Sequence, residues 1–81
     1  MNIDNLSAQL CDEIALVAGI ASDQVDVELS LTENGVNSLG FVELMLVIEQ
    51  QFGVKLMDSG LTREDLASIT ALARKIIKLA E

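Results

Sequence analysis

Apolar residues along this chain recur at a helical spacing, lose it, and then regain it twice. Ile3, Leu6, Leu10, Ile14 and Val17 fall at three- and four-residue steps with Asp4, Asp12 and Glu13 between them, which lays one apolar stripe along an α-helix. Gly19 marks its end, and Asn2 and Asp4 are both suited to cap its start. Over Val25, Val27, Leu29 and Leu31 the period drops to two, with Gln24, Asp26, Glu28 and Ser30 alternating. Alternation is a strand signal. No second run in the chain could pair with such a strand, and a lone strand leaves its backbone groups unsatisfied. Residues 20–37 are therefore expected to form a long ordered loop pinned by its apolar side chains, a length that is usually functional or partly helical.

Helical spacing returns from Ser38 to about Phe52. Projected at 100° per residue, Phe41, Leu44, Met45, Ile48 and Phe52 share an arc of roughly 100°, the width of a core-facing stripe. Leu39, Val42 and Leu46 form a second, smaller arc beside Ser38, with Glu43, Glu49 and Gln50 on its margins. An apolar arc edged by acids reads as a docking face; the alternative is that a neighbouring loop covers it. After a connector from Val54 to Gly60, Thr62 with Asp65 three residues on resembles a capping box and predicts a short third helix to about Ala67. Ser68 caps the last helix, which buries Ile69, Leu72, Ala73 and Ile76 and gathers Arg74, Lys75 and Lys78 towards its C-terminal half. The pattern predicts an all-α four-helix bundle with a long loop between helices 1 and 2 and a short third helix, one domain over residues 1–81.

Composition narrows the function. The 81 residues include no His, Trp, Tyr or Pro and a single cysteine, Cys11, so the usual general base is missing and no intrachain disulfide can form. Cys11 reads as a small core or boundary residue. Thirteen acids against five bases give a net charge of −8, which disfavours nucleic acid and favours basic protein surfaces, or serves solubility alone. No apolar run approaches the roughly 20 residues of a membrane span, and no basic stretch precedes an apolar one near the start, so the expected location is cytoplasmic. Catalysis by this chain alone is not expected.

Ser38 is the candidate for chemistry. At the start of a helix its hydroxyl lies beside free backbone N–H groups and the positive end of the helix dipole, where an attached phosphate is favoured. Serine there is more commonly a simple cap.

The run Leu31-Thr32-Glu33-Asn34-Gly35-Val36-Asn37-Ser38-Leu39, the helix that follows it and the acidic helical composition resemble the acyl carrier protein family over essentially the whole chain. The resemblance implies a covalent 4'-phosphopantetheine, taken from coenzyme A and joined to Ser38 through a phosphodiester by a phosphopantetheinyl transferase. It implies a non-catalytic, monomeric carrier of acyl thioesters. Its partners would be acyl-activating, condensing and tailoring enzymes with basic docking surfaces, met by Asn37, Leu39, Val42, Glu43, Leu46 and Glu49. An acyl chain would insert among Val42, Leu46 and residues of helices 3 and 4. An aminoacyl or peptidyl load, and an unmodified interaction module in which Ser38 is only a cap, are the alternatives.

The chain departs from the family pattern at Asn37, where an aspartate is usual, and at Asn34, where a leucine is usual. Asn37 keeps the capping ability but loses a charge that transferases and partners can pair with. Gly40 and Gln50 occupy positions that are often acidic in fatty acid synthesis carriers, and Gly40 weakens the helix start by roughly 0.5–1 kcal/mol relative to alanine. These losses point to a specialised discrete carrier in place of the housekeeping one.

Overall fold

A computed structural model of the chain describes residues 2–81. Three α-helices carry the fold: α1 (Ile3–Ala18), α2 (Ser38–Phe52) and α3 (Ile69–Ala80), with 3₁₀ turns at Ser22–Gln24 and Leu56–Asp58. No strand occurs among the described residues. Asn2 is the cap that starts α1, its Oδ1 accepting the N–H of Asp4 at 2.7 Å and of Asn5 at 3.3 Å. Gly19, at φ 72°, ends α1 in the left-handed region that glycine enters without a Cβ penalty.

α1 packs against both α2 and α3. The stripes predicted by helical spacing meet in one apolar cluster: Leu6, Leu10 and Ile14 from α1, Leu44, Met45 and Ile48 from α2, and Ile69, Leu72, Ala73 and Ile76 from α3. Phe41 and Phe52 lie half-buried against it. The core is thus aliphatic, and it fixes the direction in which α2 presents its remaining face.

The predicted short third helix does not form as an α-helix. Its capping box does: Thr62 N–H donates to Asp65 Oδ2 at 3.0 Å and Asp65 N–H to Thr62 Oγ1 at 3.2 Å. Beyond it Leu66 and Ala67 bond back only three residues, to Arg63 and Glu64. Five residues between the cap Thr62 and Ser68, whose extended backbone starts α3, are too few to repay helix nucleation. The all-α architecture with its long first loop stands, with this segment drawn down to tight turns.

Asp65 also ties those turns to α3 through Lys75 Nζ at 3.7 Å. The Thr62 N–H first, then the Thr62 hydroxyl and the Lys75 ammonium, hold its carboxyl below the usual range against partial desolvation. A folded-state pKa below the unfolded one contributes stability above the unfolded value of about 3.9 and loses it as pH falls through the folded value. Asp65→Asn, which keeps an acceptor but no charge, should therefore show a shallower fall in melting temperature than wild type as the pH is taken down through the carboxylate range. Parallel curves would show that the contact adds no pH dependence.

Candidate functional site at the start of α2

The loop that delivers Ser38 is built around Asn34. This side chain is buried, and its Oδ1 accepts the Asp26 N–H at 2.8 Å while Nδ2 donates to the carbonyls of Asp26 at 3.0 Å and Ser30 at 2.8 Å. Ser30 and Glu33 add a reciprocal pair, Ser30 N–H to Glu33 Oε1 at 3.0 Å and Glu33 N–H to Ser30 Oγ at 3.1 Å. Gly35 turns the chain at φ 96°. Leu31 and Val36 on either side are buried in the core, so both arms of the turn are anchored. Earlier in the loop, the carbonyls of Val27 and Leu29 accept the N–H groups of Thr70 and Ile69, which fastens the alternating stretch to the start of α3. The strand-like period thus falls on a turn, closed by the Leu29 N–H donating to the Asp26 carbonyl at 3.1 Å, whose carbonyls are bonded by a helix terminus.

Asn37, with extended backbone, is the N-cap of α2, and its Oδ1 accepts the Gly40 N–H at 2.8 Å. Ser38 is the first helical residue and not the cap. Its side chain is exposed, and its hydroxyl bonds to no described residue. The backbone N–H groups of Ser38 and Leu39 also have no acceptor among the described residues. The first turn of α2 holds no acidic residue, so no charge of the chain's own answers the positive end of the dipole within that turn.

Gly40 is buried. A Cβ built on it would meet Val36 Cγ1 at 3.3 Å, Asn37 Oδ1 at 3.4 Å and Val17 Cβ at 3.5 Å. Its missing side chain lets the start of α2 lie close against α1 and the loop.

Of the residues expected on the partner face, Leu39, Val42 and Leu46 are 69%, 45% and 54% exposed, and no loop covers them. Glu43 is exposed and Glu49 half-buried. Across from them the 3₁₀ turn supplies Met57, 62% exposed. A mainly apolar groove of about 160 Å³ lies between, lined by Val42, Met45, Leu46, Leu56 and Met57, with Glu49, Lys55 and Asp58 at its polar margin. Lys55 Nζ stands 4.0 Å from Glu49 Oε1. The groove is thus closed by the 3₁₀ turn, and no residue of α3 lines it. A second cleft, of about 310 Å³, opens at Ser38 on the loop side of Val42.

The sequence profile of the phosphopantetheine attachment site matches residues 8–76. The chain belongs to the phosphopantetheine carrier family. Two curated relatives accompany that match. An acyl carrier protein of Rickettsia bellii (strain OSU 85-389) is 36% identical over 62 residues, covering 75% of this chain and 76% of its own. Aminoacyl carrier protein 2 of Bradyrhizobium diazoefficiens is 31% identical over 77 residues, covering 95% and 85% respectively.

A carrier of this family holds 4'-phosphopantetheine as a covalent prosthetic group. The start of α2 fits such a group: an exposed hydroxyl, two unpaired N–H donors beside it and a cleft at its foot. No cluster of metal-ligating side chains occurs among the described residues of the carrier, and no helix is long and apolar enough to cross a membrane. Cys11 is half-buried, and burial first, then Asp12, raise its thiol pKa above the ordinary value. The thiolate is the nucleophile, so native carrier should be alkylated at Cys11 at neutral pH more slowly than the denatured chain. Equal rates by intact mass would contradict its shielding. Neither Cys11 nor Asp65 lines either of these two clefts.

Sequence reasoning passed over Met57, Lys55 and the Ser30–Glu33 pair. A signal was present for the pair, since Ser-x-x-Glu at residues 30–33 has capping-box spacing, and none for Met57, whose apolar side chain breaks the alternation of Val54, Lys55 and Leu56.

Proposed function

We propose that Ser38 is the residue that carries the 4'-phosphopantetheine, and that the 81 residues are one carrier domain delivering acyl intermediates to partner enzymes. The observation that carries this reading is the division of labour at the helix start. Asn37 takes the cap and leaves the Ser38 hydroxyl unengaged at the surface. A serine retained only for capping would have its oxygen on a backbone N–H. A phosphodiester at Ser38 would also supply the anion that the first turn of α2 lacks. When bound, the group supplies a thiol on a flexible arm, to which cargo is joined as a thioester. The chain's own residues orient and address it, and none needs to move a proton.

Leu39, Val42 and Leu46, with Met57 extending them, form the apolar contact, and Glu43 and Glu49 guide basic partner surfaces. Rim charges of this kind act mainly on association rate and salt sensitivity. The groove of about 160 Å³ is comparable to the roughly 150 Å³ apolar cavity that holds a benzene ring. That volume favours a short or compact acyl cargo. An aminoacyl load is the second reading, supported by the Bradyrhizobium relative that spans nearly the whole chain.

The apo protein, incubated with coenzyme A, Mg²⁺ and a broad-specificity phosphopantetheinyl transferase, should gain the mass of one arm, and Ser38→Ala should gain none. Absence of a gain in the wild type, or an equal gain in the variant, removes the assignment. The neutral Asn37 and the packed Gly40 support a specialised discrete carrier. Loading and elongation by a fatty acid synthase set at rates equal to those of the organism's other carriers would sink that part.

A further inference from the structure

Only half of the Asn37 side chain serves the helix cap. Oδ1 meets the Gly40 N–H. A backbone donor requires an acceptor, so Nδ2 is directed elsewhere. The two Nδ2 protons have no acceptor among the described residues, and Asn37 is exposed immediately before Ser38. An aspartate would cap equally well, but its second oxygen would bring charge and no donor next to a phosphodiester.

The second observation is the loop-side cleft of about 310 Å³ that opens at Ser38, walled by Leu31, Val36, Phe41 and Val42 with Thr32 and Asn37 as its other lining residues. Val42 is the ridge between this cleft and the groove towards Met57, since it lines both. The Thr32 hydroxyl bonds to no described residue. A cleft of about 310 Å³ has room for the proximal part of a pantetheine arm.

We infer that the loop-side cleft is the berth of the proximal arm. Asn37 Nδ2 donates to a phosphodiester oxygen at Ser38, and the geminal methyl groups that follow in the arm pack on Val36 and Phe41. Asn37 is then a positioning residue for the prosthetic group, and its departure from the family's aspartate exchanges a repulsive neighbour for a donor. This rests on Ser38 being the attachment residue.

The test compares apo and holo forms of the ¹⁵N-labelled chain by NMR, with coenzyme A as the arm donor and intact mass recorded on the same samples. Conversion should shift the Asn37 side-chain amide pair more than any other side-chain amide, and should give contacts from the arm's methyl groups to Val36 and Phe41. In holo Asn37→Asp, which retains an acceptor for Gly40, those contacts should be lost and the ³¹P resonance displaced. Mass gain at Ser38 with perturbations confined to Val42, Leu46 and Met57 overturns the berth but leaves the attachment intact. Unchanged cleft contacts in holo Asn37→Asp overturn the part assigned to Asn37. No mass gain overturns attachment and berth together.

Discussion

Asn34→Ala is expected to destabilise the protein by about 2–3 kcal/mol, from three hydrogen bonds of roughly 1 kcal/mol each. In a chain of this size that is a fall of roughly 10–20 °C in melting temperature. The substitution removes the acceptor of the Asp26 N–H and the donor to the carbonyls of Asp26 and Ser30, all made by a side chain that is itself buried. The loss falls on the segment between α1 and α2 and leaves the helical stripes of the core in place. Asn34→Leu restores the residue usual in the family but supplies neither donor nor acceptor, so it should not rescue. Thermal unfolding followed by far-ultraviolet circular dichroism measures both variants. A leucine variant as stable as wild type would show that the turn is held by apolar packing and not by the amide.

That contrast bears on how far the residues alone reach. The three long helices are legible because their apolar positions repeat at 3.6 residues and each ends or begins on a cap: Asn2 and Gly19, Asn37 and Gly53, Ser68. The two arcs of α2 follow from the same projection, and the structure buries one in the core and leaves the other exposed. The short helix expected after Thr62 does not form, because a capping box reports how a turn starts and not whether enough chain follows to propagate it. Asn34 and Gly40, compared with a family pattern, read as losses. In three dimensions they are fitted parts. The Asn34 amide bonds residues four and eight positions away, and the room Gly40 leaves is filled by Val17 from another helix. Neither relation has a periodic signature, so no projection along the chain can reveal it.

Charge is also placed by position along α2. Net charge is −8, yet the first turn of α2 is free of acids and Glu43 is the first acid along that helix. A negative chain that keeps this turn neutral lowers the repulsion felt by an anion placed there, while on the proposed reading the more distant acids steer basic partners. Neutral residues near Ser38 and acidic ones along the rim are thus compatible features of one site.

Leu39→Ala should lower kcat/KM for phosphopantetheinyl transfer to this protein by roughly tenfold, with little change in stability. The side chain is 69% exposed in the free protein, so truncation removes few native contacts, and surface changes of this kind usually stay within about 0.5 kcal/mol. It directly follows Ser38 and belongs to the face proposed for docking the transferase. Removing an apolar anchor from the centre of a contact costs on the order of 1–2 kcal/mol of binding, and 1.4 kcal/mol is a factor of ten. Leu16→Ala is the matched control, since Leu16 is 76% exposed on α1 and lines neither cleft. Transfer to the control should proceed at the wild-type rate. Equal losses in the two variants would trace the effect to general surface hydrophobicity, and no loss in Leu39→Ala would remove this residue from the docking face. A fall in melting temperature matching the fall in rate would mean that the helix start, and not the contact, had been damaged.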